Sequence, residues 1–210
     1  GSVTVPVAPP APKPPPVPSS ADLPFALSPQ TTVALAFYTG LGASEPWINR
    51  MTAYVTGKYM HVELVFVDGA RTLACGVWQG EHVFLRPKTF GKTCWEWRAL
   101  ALRPDQVRTV YAFCARQAHR KCPFNRAGLW RSLTPFPRPN PDGDTWFCSE
   151  LCVAALQTVG LLLDEVPSAC TPTAVYAGLD RAAAYHAGSP LVDARIRRRP
   201  LTYRRRRLRR

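Results

Sequence analysis

Cys148 stands in the run Trp-Phe-Cys-Ser-Glu, directly after a stretch rich in Pro, Gly and Asp and at the opening of the clearest helical pattern in the chain. The unsatisfied N–H groups and the dipole at a helix N-terminus favour negative charge, so a cysteine there is biased toward its thiolate. The thiolate, not the thiol, is the nucleophile of covalent catalysis. A free cysteine is more often a small buried residue, and Cys152, one turn later, is read that way. A thiolate needs a base, and His61 opens the strand pattern His-Val-Glu-Leu-Val-Phe. A histidine at a strand edge can turn its ring to a neighbouring helix end, and it needs a partner to hold its tautomer. Glu63 shares its face, roughly 6.6 Å along the strand by the alternation rule, and is the candidate partner. Taken alone, His61 is equally a structural histidine and Glu63 a solvent-facing carboxylate. His82, which begins another strand pattern, is the reserve base; His119 and His186 have no supporting pattern.

These residues must be placed by two halves of different period. Val33–Phe37 reads as a buried strand ending at Thr39-Gly40, and residues 46–55 have the spacing of a short helix. His61–Val67 is a strand closed by the hairpin turn Asp68-Gly69. Thr72–Trp78, His82–Arg86 and Trp95–Leu102 read as further strands, which predicts a small antiparallel sheet. From Pro104, a first-turn proline, Val107, Val110, Tyr111, Cys114 and Ala118 recur at helical spacing until Pro123. A short helical piece over 127–133, a loop over 134–144, a helix over 146–162 and a last helix from Thr171-Pro172 to about 184 follow. The fold class is α+β: a small antiparallel sheet packed by about three helices.

The ends differ from this middle. Ten of the 22 prolines lie within residues 1–30, so 1–30 reads as a Pro-rich disordered lead, with Gly1-Ser2 a cloning remnant. Residues 31–190 form the domain and 191–210 an Arg-rich basic tail. Residues 195–210 hold ten arginines and no acid, so the net charge of +13 falls to +3 without them. Such a block stays solvated and binds polyanions through phosphate contacts with strong salt dependence. It is equally a solvated or nuclear-targeting tail. Seven cysteines, an odd number, speak against a disulfide framework, and no CxxC pair or His–Cys ligand spacing supports zinc. A reducing compartment, cytoplasmic or nuclear, is expected, with no metal, no cofactor and no transmembrane segment.

The ordered series Gly57-Lys-Tyr-Met-His61-Val-Glu-Leu-Val, Gly76-Val77, Cys122-Pro-Phe-Asn125, Phe147-Cys148-Ser-Glu-Leu and Thr171-Pro172 resembles the circularly permuted, NlpC-type branch of the papain-like thiol hydrolases and acyltransferases. Its members include YiiX-like, poxvirus and lecithin:retinol acyltransferase relatives. The resemblance spans about residues 31–179. It implies a papain-like fold with Cys148 as nucleophile and His61 as base. It implies acyl chemistry through a thioester on a peptide, amide or lipid substrate. Some relatives carry a polar third residue on the strand after the histidine. Here that strand reads Arg71-Thr-Leu-Ala-Cys75 and holds no carboxylate, so Glu63 is the substitute, with Thr72 and His82 behind it. Phe124-Asn125 matches a segment that packs near the cleft. Lead, domain and tail together resemble a viral protein or polyprotein segment, which implies a viral protease in an infected cell. The competing expectation is a decayed papain-like module that binds nucleic acid or acidic membrane through its tail.

Overall fold

The computed structural model describes residues 27–40, 57–91, 94–132 and 143–185. Most of the Pro-rich lead, the helix expected over 46–55, most of the 134–144 loop, His186 and the Arg-rich tail lie outside the described residues.

Branched and aromatic residues in alternation make the strands, as half-buried pleated surfaces require. The strands are β1 (Thr32–Tyr38), β2 (His61–Asp68), β3 (Arg71–Gly76), β4 (Phe84–Pro87) and β5 (Trp95–Leu100). They form one five-stranded antiparallel sheet in the order β4-β3-β2-β1-β5. The β2–β3 hairpin turns through Gly69-Ala70, with Gly69 at φ +58° in the region that disfavours side chains. Val62, Leu64 and Phe66 of β2, Leu35 and Phe37 of β1, and Leu73 and Cys75 of β3 all sit in the main core. There they join Val110 and Cys114 of α1 (Pro104–His119) and Leu151 and Ala155 of α3 (Cys148–Gln157). Each such aliphatic side chain contributes about 1.5–3 kcal/mol by leaving water. The opposite sheet face carries Ala36, Val65 and Ala74 at its centre, rimmed by Phe84, Phe90, Trp95 and Trp97.

Two further helices complete the α+β domain: α2 (Arg126–Ser132) and α4 (Pro172–Tyr185). The described helices are thus four, not about three, with a 3-10 turn at Pro167–Ala169 besides. α1 stops before Pro123 because Lys121 takes a left-handed φ of +51°. α3 is shorter than its apolar pattern at both ends. Trp146 is already committed to extended pairing: its N–H donates to Pro123 O and its carbonyl accepts from Asn125. Phe147 follows as an extended N-cap, φ −107° and ψ 166°. At the other end Gly160 (φ +82°) and Leu162 (φ +56°) turn the chain away from the helical direction. β3 and β5 also end earlier than expected, at Gly76 and Leu100, and β4 starts later, at Phe84.

The approach to α3 is fixed by Gln117 of α1. Its Oε1 accepts from Trp146 Nε1 at 3.2 Å and from Cys122 Sγ at 3.3 Å, all three side chains being buried. Gln117→Leu leaves the indole N–H without its acceptor. It should lower stability by about 1–3 kcal/mol in urea unfolding followed by tryptophan fluorescence. An unchanged midpoint would show that this clasp does not hold the segment before Cys148.

Candidate active site

The site forms where the sheet opens. β2 pairs with β1 from His61 onward, but its register with β3 begins only at Leu64, opposite Cys75. The first three residues of β2 therefore have no β3 partner on that side. The first turn of α3 fills this gap and places the Cys148 thiol beside the His61 ring, where that ring and the nearby backbone N–H groups of Val62 and Ser149 favour its thiolate. Cys152, one turn on, points its thiol at Val62 O (3.8 Å) and is fully buried.

Several bonds hold α3 in this place. Glu150 reaches back to accept the Phe147 N–H at 3.3 Å, half of a capping box. The same Oε2 accepts from Asn125 Nδ2 at 3.4 Å, while Asn125 Oδ1 accepts the Gly128 N–H at 2.7 Å. Ser149 Oγ donates to Cys170 O at 2.7 Å. Asn125, read from the sequence as architecture, thus links the start of α2 to the start of α3.

His61 Nε2 lies 3.0 Å from Glu63 Oε1, which leaves Nδ1 as the nitrogen for the thiol. The imidazole stacks on Trp78, with ring centroids 3.8 Å apart and planes 24° from parallel. Trp95 meets it edge-on at 6.2 Å. Glu63 is fully buried, and the same Oε1 that faces His61 takes Lys88 Nζ at 2.6 Å. Its other oxygen has no hydrogen-bond partner among the described residues. Room for this carboxylate comes from the neighbouring strand, where Gly76 has no side chain. A Cβ there would come within 2.9 Å of Glu63 Cγ and 3.1 Å of Phe84 Cζ.

These contacts set the charges. Burial opposes an imidazolium at His61, but the adjacent Cys148 sulfur and the Glu63 carboxylate outweigh it and raise the ring's pKa to about 9. Burial also opposes the Cys148 thiolate. The His61 charge, its hydrogen bond and the two backbone N–H groups win, and the thiol is held below its ordinary value. Glu63 follows the same pattern: burial would raise it, while His61 and Lys88 draw it down. Cys152 goes the other way, driven well up by burial and by the Cys148 and Cys75 sulfurs beside it. Cys75 is driven up by its hydrogen bond to Cys114 and by burial, and burial likewise raises Cys122 and Cys170. Cys148 alone among these five is shifted toward a thiolate.

The structure thus brings Cys148, His61 and Glu63 together. It does not bring the two lesser candidates to them. His82 is exposed, and its backbone bridges Pro123. Thr72 donates its hydroxyl to Lys88 O and so holds the backbone of Lys88 rather than the ring of His61. His119 is exposed at the end of α1. Sequence reasoning missed Lys88, Trp78 and the Val62 N–H, none of which stands at a motif spacing from His61 or Cys148. Among the described residues no cluster of His, Cys, Asp and Glu is arranged to hold a metal, and no helix is long and apolar enough to cross a membrane.

Two measurements follow from this geometry. The lowered Cys148 pKa and the raised His61 pKa both shift the pair toward thiolate and imidazolium. Iodoacetamide should then label Cys148 faster than the half-buried Cys94, and His61→Ala should slow Cys148 selectively, both read by mass spectrometry. Equal rates would remove the activated pair. Gly76→Ala should cost about 1–3 kcal/mol by overpacking and, by displacing Glu63, lower the His61 pKa in an NMR titration. A variant as stable as the parent would show that the carboxylate does not need this space. No family model matches the chain, and no curated protein does either, so the residues and their geometry stand alone as the basis for a reading.

Proposed function

We propose that this chain is a thiol-dependent acyl-transfer enzyme with a permuted papain-like fold, in which Cys148 is the nucleophile, His61 the acid–base and Glu63 the group that orients His61. The observation that supports it most is the juxtaposition of a downward-shifted cysteine at a helix start with a buried histidine that a carboxylate holds from its far side. Structural cysteines in apolar surroundings are shifted the other way, as Cys152 is here.

In this reading the Cys148 thiolate attacks a carbonyl carbon. The first-turn N–H groups of α3, which have no intrahelical acceptor, receive the developing oxyanion. The His61 imidazolium gives its proton to the leaving group as the tetrahedral intermediate collapses to a thioester. Neutral His61 then takes a proton from the acceptor, water or another nucleophile, as it attacks the thioester. Glu63 keeps Nε2 protonated and Nδ1 turned to sulfur throughout. The stack on Trp78 covers one face of the ring and favours its cationic form.

A generic activated ester tests this without knowledge of the natural acyl donor. Incubation with p-nitrophenyl acetate should leave an acetyl thioester on Cys148, visible by intact and peptide mass spectrometry. Cys148→Ala should abolish it, and His61→Ala should slow it by about 10²–10⁴-fold. Acetylation spread evenly over the cysteines, or undiminished release of p-nitrophenol by Cys148→Ala, would sink the proposal.

A further inference from the structure

Lys88 lies just past β4, clasped to β3 by reciprocal bonds: its N–H donates to Thr72 O at 3.2 Å, and its carbonyl accepts from Thr72 Oγ1. Its side chain is only 21% exposed, and its ammonium enters a cage of three rings, 4.7 Å from the centroid of Trp95, 5.0 Å from Phe90 and 5.3 Å from Trp78. Inside this cage it meets a single anion, Glu63 Oε1 at 2.6 Å. Two of the rings, Trp78 and Trp95, also contact His61. A surface ion pair would be worth little. Here the carboxylate is fully buried, one of its oxygens lacks a hydrogen bond among the described residues, and the other is divided between an imidazole and an ammonium.

We propose that Lys88 is a positioning residue of this site: its ammonium limits how tightly Glu63 holds the His61 proton and keeps Glu63 ionised while His61 is neutral. The proposal rests on the acyl-transfer reading above. In that cycle His61 alternates between cation and neutral ring. With His61 as its only partner, Glu63 would lose all compensating charge at each proton transfer, and a buried carboxylate without a counter-charge takes up a proton. While His61 is cationic, an unshared carboxylate would grip the imidazolium and make it a poor acid toward the leaving group. Lys88 opposes both effects because its ammonium faces the same carboxylate oxygen and takes no part in the proton transfer. The other titratable groups near this network among the described residues include Tyr38, opposite His61 and packed on Trp78 and Trp95, Cys148 beside His61, and Cys152 and Cys75 near Glu63. Both of the latter are pushed up and stay neutral thiols at neutral pH. Lys88 is therefore the cation that faces the carboxylate from outside the proton transfer.

The test is an NMR titration of the His61 ring in the full 210-residue chain, with Cys148 alkylation by iodoacetamide measured in parallel. Lys88→Met keeps an unbranched apolar chain in the cage and removes the charge; Lys88→Gln serves if that variant does not fold. Loss of a cation near His61 should move its titration upward by about one unit. Lys88→Arg, which restores the charge, should leave it near the parent value. A role confined to packing would lower stability without moving the titration, so an unmoved His61 in folded Lys88→Met overturns the inference. An equal rise in Lys88→Arg and Lys88→Met would also overturn it. The acyl-transfer reading fails separately, if the parent chain itself shows no raised His61 titration and no preferential alkylation of Cys148.

Discussion

A carboxylate that cannot reach water must be surrounded by positive charge or give up its own, and Glu63 is such a group. Its position dictates much of what lies around it. One oxygen is shared between His61 and Lys88. The strand beside it contributes Gly76, because a side chain there would collide with it. The rings of Trp78, Phe90 and Trp95 enclose the compensating ammonium. Cys148 and His61 next door, shifted toward thiolate and imidazolium, extend an alternating row: sulfur, imidazole, carboxylate, ammonium. Each neighbour stabilises the next, which offsets the desolvation that every buried member suffers.

The sheet supplies the geometry of this row. A full ladder on the β1 side fixes His61 and Glu63 on one face, Tyr38 opposite His61 and Ala36 opposite Glu63. The small side chain of Ala36 leaves the carboxylate uncrowded from that direction. The missing ladder on the β3 side before Leu64 leaves backbone groups of β2 without a β3 partner, and the Val62 N–H there favours the Cys148 thiolate. Strand and helix meet at Cys148 and His61. The helix cannot slide along the strand without breaking the Ser149–Cys170 bond and the Asn125–Glu150–Phe147 clasp together.

How much of this was legible in the chain depends on the range of each interaction. The strands follow from period-two patterns such as His-Val-Glu-Leu-Val-Phe, and the hairpin from Asp68-Gly69, because these are local. The proximity of Cys148 to His61 was reachable from a general rule, that helix starts stabilise anions, together with a resemblance in motif order. The exact start of α3 was not, because Trp146 is drawn into an extended bridge with Phe124, a partner outside any helical window. The role of Glu63 as the neighbour of His61 was legible from the alternation of a strand. Lys88 was not: it approaches from the far side of β3, and nothing in Arg-Pro-Lys-Thr-Phe marks a lysine whose charge ends inside three rings.

The third group of a cysteine–histidine site has two tasks, fixing the tautomer and supporting the positive charge. A neutral amide would perform only the first. A lone buried carboxylate would perform both, but would bind the proton so strongly that the histidine becomes a weak acid. A carboxylate tied to a second cation lies between: it accepts the Nε2 proton's hydrogen bond, yet presents less negative charge than its formal value. The backbone clasp with Thr72 holds the segment that carries that cation, so in the proposed cycle the balance would persist as the histidine changes charge. Strand β3 thus contributes to the pair although it holds no carboxylate, through the space at Gly76 at one end and the anchor at Thr72 at the other.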